Sequence, residues 1–143
     1  MRERLVTLPD GSYALGRTAK AAEEVSKSME GAAVLRDKLA RYAGLLRKHP
    51  NGVFSSTSPA DYETAQALHE SILTDINGLA GLNRFTSEEA KVYAGRVPDI
   101  TAKQLRASGH QAKLAELGRE IDSKVWGTSR QYLDLPIRPR TLD

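Results

Sequence analysis

The sequence predicts an all-α protein that carries a short β-hairpin at its N-terminus and an extended arm at its C-terminus. Two observations support the helical part of this prediction. Apolar residues recur every three or four positions over residues 18–48 and 59–78, and again over residues 101–126. Between the second and third of these stretches, Thr86 and Glu89 have the spacing of a helix capping box.

The first predicted element is a β-hairpin in the segment RLVTLPDGSYAL. Two short β-favouring runs flank a Pro-Asp-Gly turn, which is a common hairpin signal. A two-stranded hairpin alone is only marginally stable in water, so we expect it to lie on another part of a protein. The alternatives are a ribbon that packs on helices of its own chain and a strand that adds to a neighbouring subunit.

The first helix is predicted from Thr18 to Lys48. It ends at the segment HPNG, because a residue that precedes proline is disfavoured in helical geometry. Its apolar residues have an average spacing of about 3.5, which keeps them facing a partner helix. These residues are Val25, Met29, Ala32, Leu35, Leu39, Tyr42 and Leu46.

A second helix is predicted to begin after Ser58 as N-cap, with Pro59 at its first position, and to run to the region of Asn77 and Gly78. With a connecting loop of about ten residues, the two helices most simply form an antiparallel helical hairpin. The apolar stripe of the second helix consists of Tyr62, Ala65, Leu68, Ile72, Ile76 and Leu79.

Charge is distributed unevenly between these two helices, with a basic surplus in residues 35–49 and an acidic surplus in residues 59–83. The basic run is either neutralised by the acidic one or forms a phosphate-binding face. Its candidate nucleic-acid-binding residues are Arg36, Lys38, Arg41, Arg47 and Lys48. If the helices are antiparallel, we expect Arg47 and Lys48 near Asp61 and Glu63, Arg41 near Glu70, and Arg36 toward Asp75.

A short helix from Ser87 to about Gly95 follows the capping box and ends before Pro98. Phe85, Val92 and Tyr93 are predicted to hold it against the helical hairpin. A long last helix is predicted from about Thr101 to Trp126. Its inward residues are Leu105, Leu114, Leu117, Ile121 and Val125.

The remaining segment, residues 127–143, contains two prolines and no helical period, and therefore predicts an extended arm. The arm is either disordered or docked on another subunit. Its candidate partner-binding residues are Leu133, Leu135, Ile137, Arg138 and Arg140. The predicted organisation is thus an N-terminal ribbon (1–16), a helical domain (17–126) and a C-terminal arm (127–143).

Composition and motifs argue against several classes of function. The chain has no cysteine, which excludes disulfides and thiolate zinc sites, and its three histidines are not at metal-ligand spacing. No catalytic or nucleotide-binding motif is present, so we expect neither an enzyme nor a cofactor. No apolar run reaches the roughly 18 residues of a membrane span, and the N-terminus does not have the pattern of a signal peptide, which predicts a soluble, unprocessed, intracellular protein.

The segment from Leu79 to Val125 has a distinctive order of features. A helix ends in the glycine-containing turn GLAGLNRF. A short helix then opens with TSEEAKVYAGR and ends at VPD. A long helix with regular leucines follows in QLRASGHQAKLAELGREIDSKVW. This order resembles that of helical virion-associated proteins of tailed bacteriophages, over about a third of the chain. The resemblance implies a structural role as an internal or ejected protein, a tail component or a head-to-tail connector.

The leading functional hypothesis is therefore a structural or assembly protein of a phage virion that acts through protein–protein contacts. Its partners would be other virion subunits or copies of itself, and it would be located in the virion after assembly in the bacterial cytoplasm, or otherwise in the cytoplasm. The alternative is a small helical nucleic-acid-associated or regulatory protein that uses the basic run from Arg36 to Lys48 for nonspecific phosphate contacts. An enzyme with a site built from scattered residues is the third possibility.

Overall fold

A computed structural model of the protein describes residues 2–8, 11–54, 56–100 and 107–134. Within these residues the chain is mostly helical, with four α-helices and one two-stranded antiparallel sheet. The prediction of a helical protein with an N-terminal β-hairpin is therefore confirmed. The elements are β1 (Leu5–Thr7), β2 (Tyr13–Leu15), α1 (Ala19–Lys48), α2 (Pro59–Gly81), α3 (Ser87–Gly95) and α4 (Ala107–Ser129), with 3-10 turns at Arg2–Arg4 and Arg130–Tyr132.

Helix α1 is the longest element, and both other long helices pack along it. It begins after Thr18, whose hydroxyl accepts a hydrogen bond from the Ala21 N–H at 3.0 Å. Six of the seven predicted seam residues are buried, and Met29 is half-buried. The boundaries and the buried face of α1 were thus predicted correctly, because both depend on local capping and on helical periodicity.

Helix α2 contacts α1 through ion pairs that join the two helices in opposite order, as in an antiparallel pair. The Lys38 Nζ lies 2.8 Å from Asp75, and the Lys48 Nζ lies 3.1 Å from Asp61. The Ser58 side chain makes no capping hydrogen bond, and α2 continues to Gly81, beyond the predicted end. Between these helices lie the buried side chains Leu35, Leu39, Leu68, Ile72, Ile76 and Leu79, which belong to one core cluster.

Helix α4 packs against another side of α1, again in opposite order. Arg36 of α1 pairs with Asp122 of α4 at 2.5 Å, and a Cβ added at Gly118 would lie 3.6 Å from Leu39. The predicted inward residues Leu114, Leu117, Ile121 and Val125 are all buried, whereas Leu105 lies outside the described residues. The predicted start of the helix at Thr101 also lies outside them, and α4 ends at Ser129 rather than at Trp126.

Helix α3 has the predicted capping box. The Glu89 N–H donates to the Thr86 hydroxyl at 3.1 Å, and the Thr86 N–H donates to the Glu89 carboxylate at 3.1 Å. Phe85 is buried and packs edge-to-face on Tyr93, with ring centroids 5.1 Å apart. The prediction for Val92 was wrong, because this side chain is 62% exposed and Ala90 is the buried residue of the helix.

The β1–β2 hairpin, called the ribbon below, packs on α1 of its own chain. Val6, Leu8 and Ala14 point inward and form a second core cluster with Ala22 and Val25. Of the two alternatives for the hairpin, packing on its own helices is therefore the one observed. The close approach of ribbon and helix requires glycine at position 16, since a Cβ there would lie 2.6 Å from the Ala22 nitrogen.

The C-terminal residues 130–134 fold back onto the outer edge of β2. The Asp134 N–H donates to the Leu15 carbonyl at 2.7 Å, the Arg17 N–H donates to the Tyr132 carbonyl at 2.9 Å, and Leu133 forms a β-bridge with Gly16. The Arg4 guanidinium pairs with the Asp134 carboxylate. The prediction of an extended arm from Gly127 onward was therefore wrong for residues 127–134, which are helical or packed on the ribbon.

Candidate interaction surface

The basic residues of α1 do not form one charged face. Helical residues are separated by about 100° per position, so Arg36 and Lys38 lie on nearly opposite sides of the helix. Lys38 donates to Ser71 and Asp75 of α2 at 2.6 and 2.8 Å, and Arg36 pairs with Asp122 of α4. The expected pairing of Arg36 with Asp75 was wrong, because Lys38 is the α1 residue that points toward α2 at this level.

The other basic residues of the run are only partly as predicted. Lys48 pairs with Asp61 as expected, whereas Arg41 lies 3.9 Å from Asp37 of its own helix rather than near Glu70. The His49 ring nitrogen lies 2.7 Å from the same Asp61 carboxylate. The hydrogen bond from His49, reinforced by Lys48, holds the pKa of Asp61 below its ordinary value. Lys48 and His49 therefore share one carboxylate of α2, whereas Arg47 is exposed and forms no ion pair with the described residues of α2.

The predicted partner-binding residues of the arm fall into two groups. Leu133 is fully buried in the cluster of Val6, Leu8 and Val25, so it is not available to a partner. The sequence missed this role because nothing local distinguishes an apolar residue that returns to its own core from one that binds elsewhere. The remaining residues, Leu135, Ile137, Arg138 and Arg140, lie outside the described residues.

A groove with a volume of about 770 Å³ lies between the ribbon, α1 and α4. Its apolar surface includes Leu8, Met29, Val125 and the half-buried Trp126. Strand β1 contributes to its lining, whereas none of its lining residues belongs to β2. The charged lining residues are Glu30, Arg36 and Asp122.

The edge of β1 beside this groove has backbone groups that β2 does not pair. The Leu8 N–H donates to Ser12 and the Gly16 N–H donates to Arg4, so the even-numbered residues of β1 form the hydrogen-bonded pairs of the ribbon. In an antiparallel ladder the intervening residues, Leu5 and Thr7, point their N–H and C=O groups away from the partner strand. Such an edge is a template for another extended segment.

Exposed apolar side chains accompany this edge. Leu5 is 48% exposed and Tyr13 is 60% exposed, and the strand register places both on the outer face of the ribbon. The other large exposed apolar residues of the described chain are Val34 and Val92, which do not line the groove. The groove, the open edge of β1 and Leu5 together form the candidate interaction surface.

A buried arginine, which the sequence did not reveal, lies beneath the turn between α2 and α3. The Arg84 side chain is fully buried, and its Nε donates to the Ser28 hydroxyl at 2.7 Å. Its guanidinium carbon lies 4.7 Å from the centre of the Tyr132 ring, a cation–π contact. Burial lowers the pKa of Arg84. The residue connects α1, the α2–α3 turn and the C-terminal 3-10 turn.

A buried histidine is the second group that the sequence did not reveal. His110, near the start of α4, is 2% exposed, and neither ring nitrogen has a hydrogen-bond partner among the described residues. Burial, helped by the positive charge of Lys113, lowers the pKa of His110 below its ordinary value. The folded protein therefore favours the neutral imidazole.

This burial predicts that the protein loses stability between about pH 7 and pH 5. The unfolded chain binds a proton at His110 near pH 6.5, whereas the folded chain binds it only at lower pH, so the free energy of unfolding falls as pH decreases through this range. The loss attributable to one group is at most about 1.4 kcal/mol per pH unit. Urea unfolding at pH 7.5, 6.5 and 5.5, followed by circular dichroism, measures it.

The matched comparison is His110→Phe, which keeps an aromatic ring but cannot bind a proton. The variant should lose less stability on acidification than the wild-type protein. Identical pH dependence of the two proteins would show that His110 is not the group responsible.

The structure offers neither a metal centre nor a membrane span in the part of the chain it describes. No group of three or more His, Asp or Glu side chains there is arranged to hold a metal ion. None of the helices described combines the length and apolar character needed to cross a bilayer.

Comparisons of the chain with protein-family models, with curated proteins and with solved structures gave no match.

Proposed function

We propose that this protein is a structural protein that acts through protein–protein contacts, as a subunit of the virion-associated class that the segment from Leu79 to Val125 resembles. In this proposal the chain is assembled into a virion in the bacterial cytoplasm and binds copies of itself or other virion subunits. The helical body serves as a scaffold, built on an antiparallel hairpin of α1 and α2. The function requires no cofactor.

The observation that carries the proposal is the candidate interaction surface. Edge strands with exposed apolar side chains are usually covered or charged in proteins that remain monomeric. Here the open edge of β1 lies beside an apolar groove, and Leu5, which is 48% exposed, is among the residues that line this groove. An extended segment of a partner could bind the strand edge with its backbone and the groove with its side chains.

The distribution of positive charge favours this proposal over nucleic-acid binding. Lys38, Lys48 and Arg36 each pair with a carboxylate on α2 or α4. A nonspecific phosphate-binding surface depends on several basic groups that face the same backbone. These three charges of α1 instead connect neighbouring helices.

The proposal predicts that the protein self-associates and that Leu5→Asp weakens this association by about tenfold or more, equivalent to about 1.4 kcal/mol. A carboxylate at this position, which lines the groove, would be covered by the apolar side chains of a bound segment, which is unfavourable. Sedimentation velocity over a range of protein concentrations measures the association. The control is Val92→Asp, which changes an apolar residue on α3 that is more exposed than Leu5 and does not line the groove.

Association that responds equally to both substitutions would place the interface elsewhere. A protein that stays monomeric at high concentration, and that binds no other virion subunit, would contradict the assembly function itself.

A further inference from the structure

We propose that the groove binds residues 135–143 of a second copy of this chain, so that copies are joined by exchanged C-terminal tails. This inference rests on the proposed assembly function and names its partner. The segment has the sequence LPIRPRTLD and directly follows Asp134, the last described residue.

The tail leaves the folded body at the edge of β2. Asp134 is hydrogen-bonded to Leu15 on the outer edge of β2, whereas the groove lies along the opposite edge, that of β1. A segment bound at the β1 edge would lie three strand positions from Asp134, or about 14 Å at about 4.8 Å per strand. The tail thus begins at the opposite edge of the ribbon from β1, whereas Met29 and Trp126 of the groove pack against the cluster that contains Leu133.

The reach of the tail therefore favours a second copy over the same chain. An extended chain covers at most about 3.6 Å per residue, so Leu135 of the same chain reaches about 4 Å from Asp134 and Ile137 about 11 Å. Both of these apolar residues therefore fall short of a segment paired with the outer edge of β1, about 14 Å away. Their counterparts in a second copy have no such restriction.

The chemistry of the tail matches that of the groove. Leu135 and Ile137 are two positions apart, so they share one side of an extended chain and could both face Met29 and Trp126. Prolines at positions 136 and 139 favour extended geometry, which reduces the entropy lost on binding. The backbone of the tail could pair with the outward groups of Leu5 and Thr7.

Charge is also complementary. The groove is lined by the carboxylates of Glu30 and Asp122 and by the single guanidinium of Arg36, an excess of one negative charge. The tail has two guanidinium groups, Arg138 and Arg140, directly after its apolar residues. Such complementarity orients a bound segment and favours this partner over an acidic one.

The test uses two full-length variants, each lacking one half of the contact. The groove variant combines Ala33→Glu, at an exposed helical position that lines the groove, with Trp126→Phe. The tail variant combines Leu135→Asp with Ile137→Asp. The chain has one tryptophan, and the groove variant lacks it. The tryptophan emission of the mixture therefore comes only from the tail variant, whose groove is intact.

The expected result is that each variant alone is monomeric and that the equimolar mixture forms a one-to-one complex in sedimentation velocity. Emission of Trp126 in the mixture should shift to shorter wavelength as the tail covers the ring. A matched control carries Ala67→Glu, at an exposed position of α2, in place of Ala33→Glu. This protein retains groove and tail and should still self-associate.

Other results overturn the proposal in distinguishable ways. If the wild-type protein self-associates but the tail variant does so equally well, the assembly function stands and the tail is not the partner. If the tail substitutions shift Trp126 emission of a dilute, monomeric protein to longer wavelength, the groove is occupied by the tail of the same chain. If the wild-type protein is monomeric and binds no other subunit, the proposed function fails together with this inference.

Discussion

Replacing Leu133 with alanine is expected to lower the free energy of unfolding by about 3 kcal/mol, although this residue lies near the end of the chain. Its side chain is fully buried among Val6, Leu8 and Val25, so truncation removes apolar contacts and leaves a cavity. The same cluster holds the ribbon on α1. Urea unfolding followed at 222 nm gives the free energy of unfolding of the variant and of the wild-type protein.

The control for this experiment is Leu5→Ala, which makes the same change on the outer face of the ribbon. Because Leu5 is 48% exposed, this variant should remain within about 0.5 kcal/mol of the wild type at concentrations where the protein is monomeric. Equal effects of the two substitutions would contradict the packing of residues 130–134 on the ribbon.

The second large effect is expected at Arg84. Replacing it with alanine should lower the free energy of unfolding by about 3 kcal/mol. Replacing it with methionine should lower it by about 2 kcal/mol less than alanine does. Alanine leaves a large cavity and removes the donor to the Ser28 hydroxyl. Methionine fills much of the same space without a buried charge, and replacement of a buried ionic group by an apolar one of similar size is often nearly neutral. The same urea titration measures both variants.

Comparing the two Arg84 variants separates packing from polar contacts. If methionine destabilises the protein as much as alanine, the hydrogen bond to Ser28 and the cation–π contact with Tyr132 account for the effect rather than the filled volume. If the alanine variant has the same free energy of unfolding as the wild-type protein, Arg84 does not connect α1, the α2–α3 turn and the C-terminal turn.

The folded position of residues 127–134 also determines how the tail must be studied. A truncation at Gly127 would remove the end of α4 together with the buried Leu133, and would therefore damage the body. The tail that can be altered without this damage begins after Asp134. Substitutions at Leu135 and Ile137 avoid the problem because they preserve the length of the chain.

Much of the fold was predictable because its signals are local. The capping box of Thr86 and Glu89, the end of α1 before Pro50, and the spacing of apolar residues on α1 and α4 depend on residues within one or two turns of each other. The Pro-Asp-Gly turn likewise predicted the hairpin. These features were read correctly from the sequence without knowledge of any tertiary contact.

The candidate interaction surface was less predictable because it depends on which elements meet. The groove combines residues from β1, α1 and α4 that are far apart in sequence. The burial of Arg84 and His110 has no local signal, since arginine is mostly exposed in proteins and His110 is surrounded by ordinary helical sequence. Arg36 and Arg41 were assigned the wrong partners, whereas Lys48 was assigned the right one, because pairing depends on the rotation of each helix about its axis.

The sequence by itself determined that this protein is built from helices with an N-terminal hairpin, where several of those helices begin and end, and which faces are apolar. These properties follow from backbone geometry and side-chain periodicity within single elements. Only the tertiary structure decided that Leu133 forms a bridge with Gly16, next to the N-terminal ribbon, and belongs to the core. It also decided that a groove remains beside β1. The reason is physical: an apolar residue gains the same transfer free energy in its own core as in a partner's groove, and only the folded geometry determines which of the two it can reach.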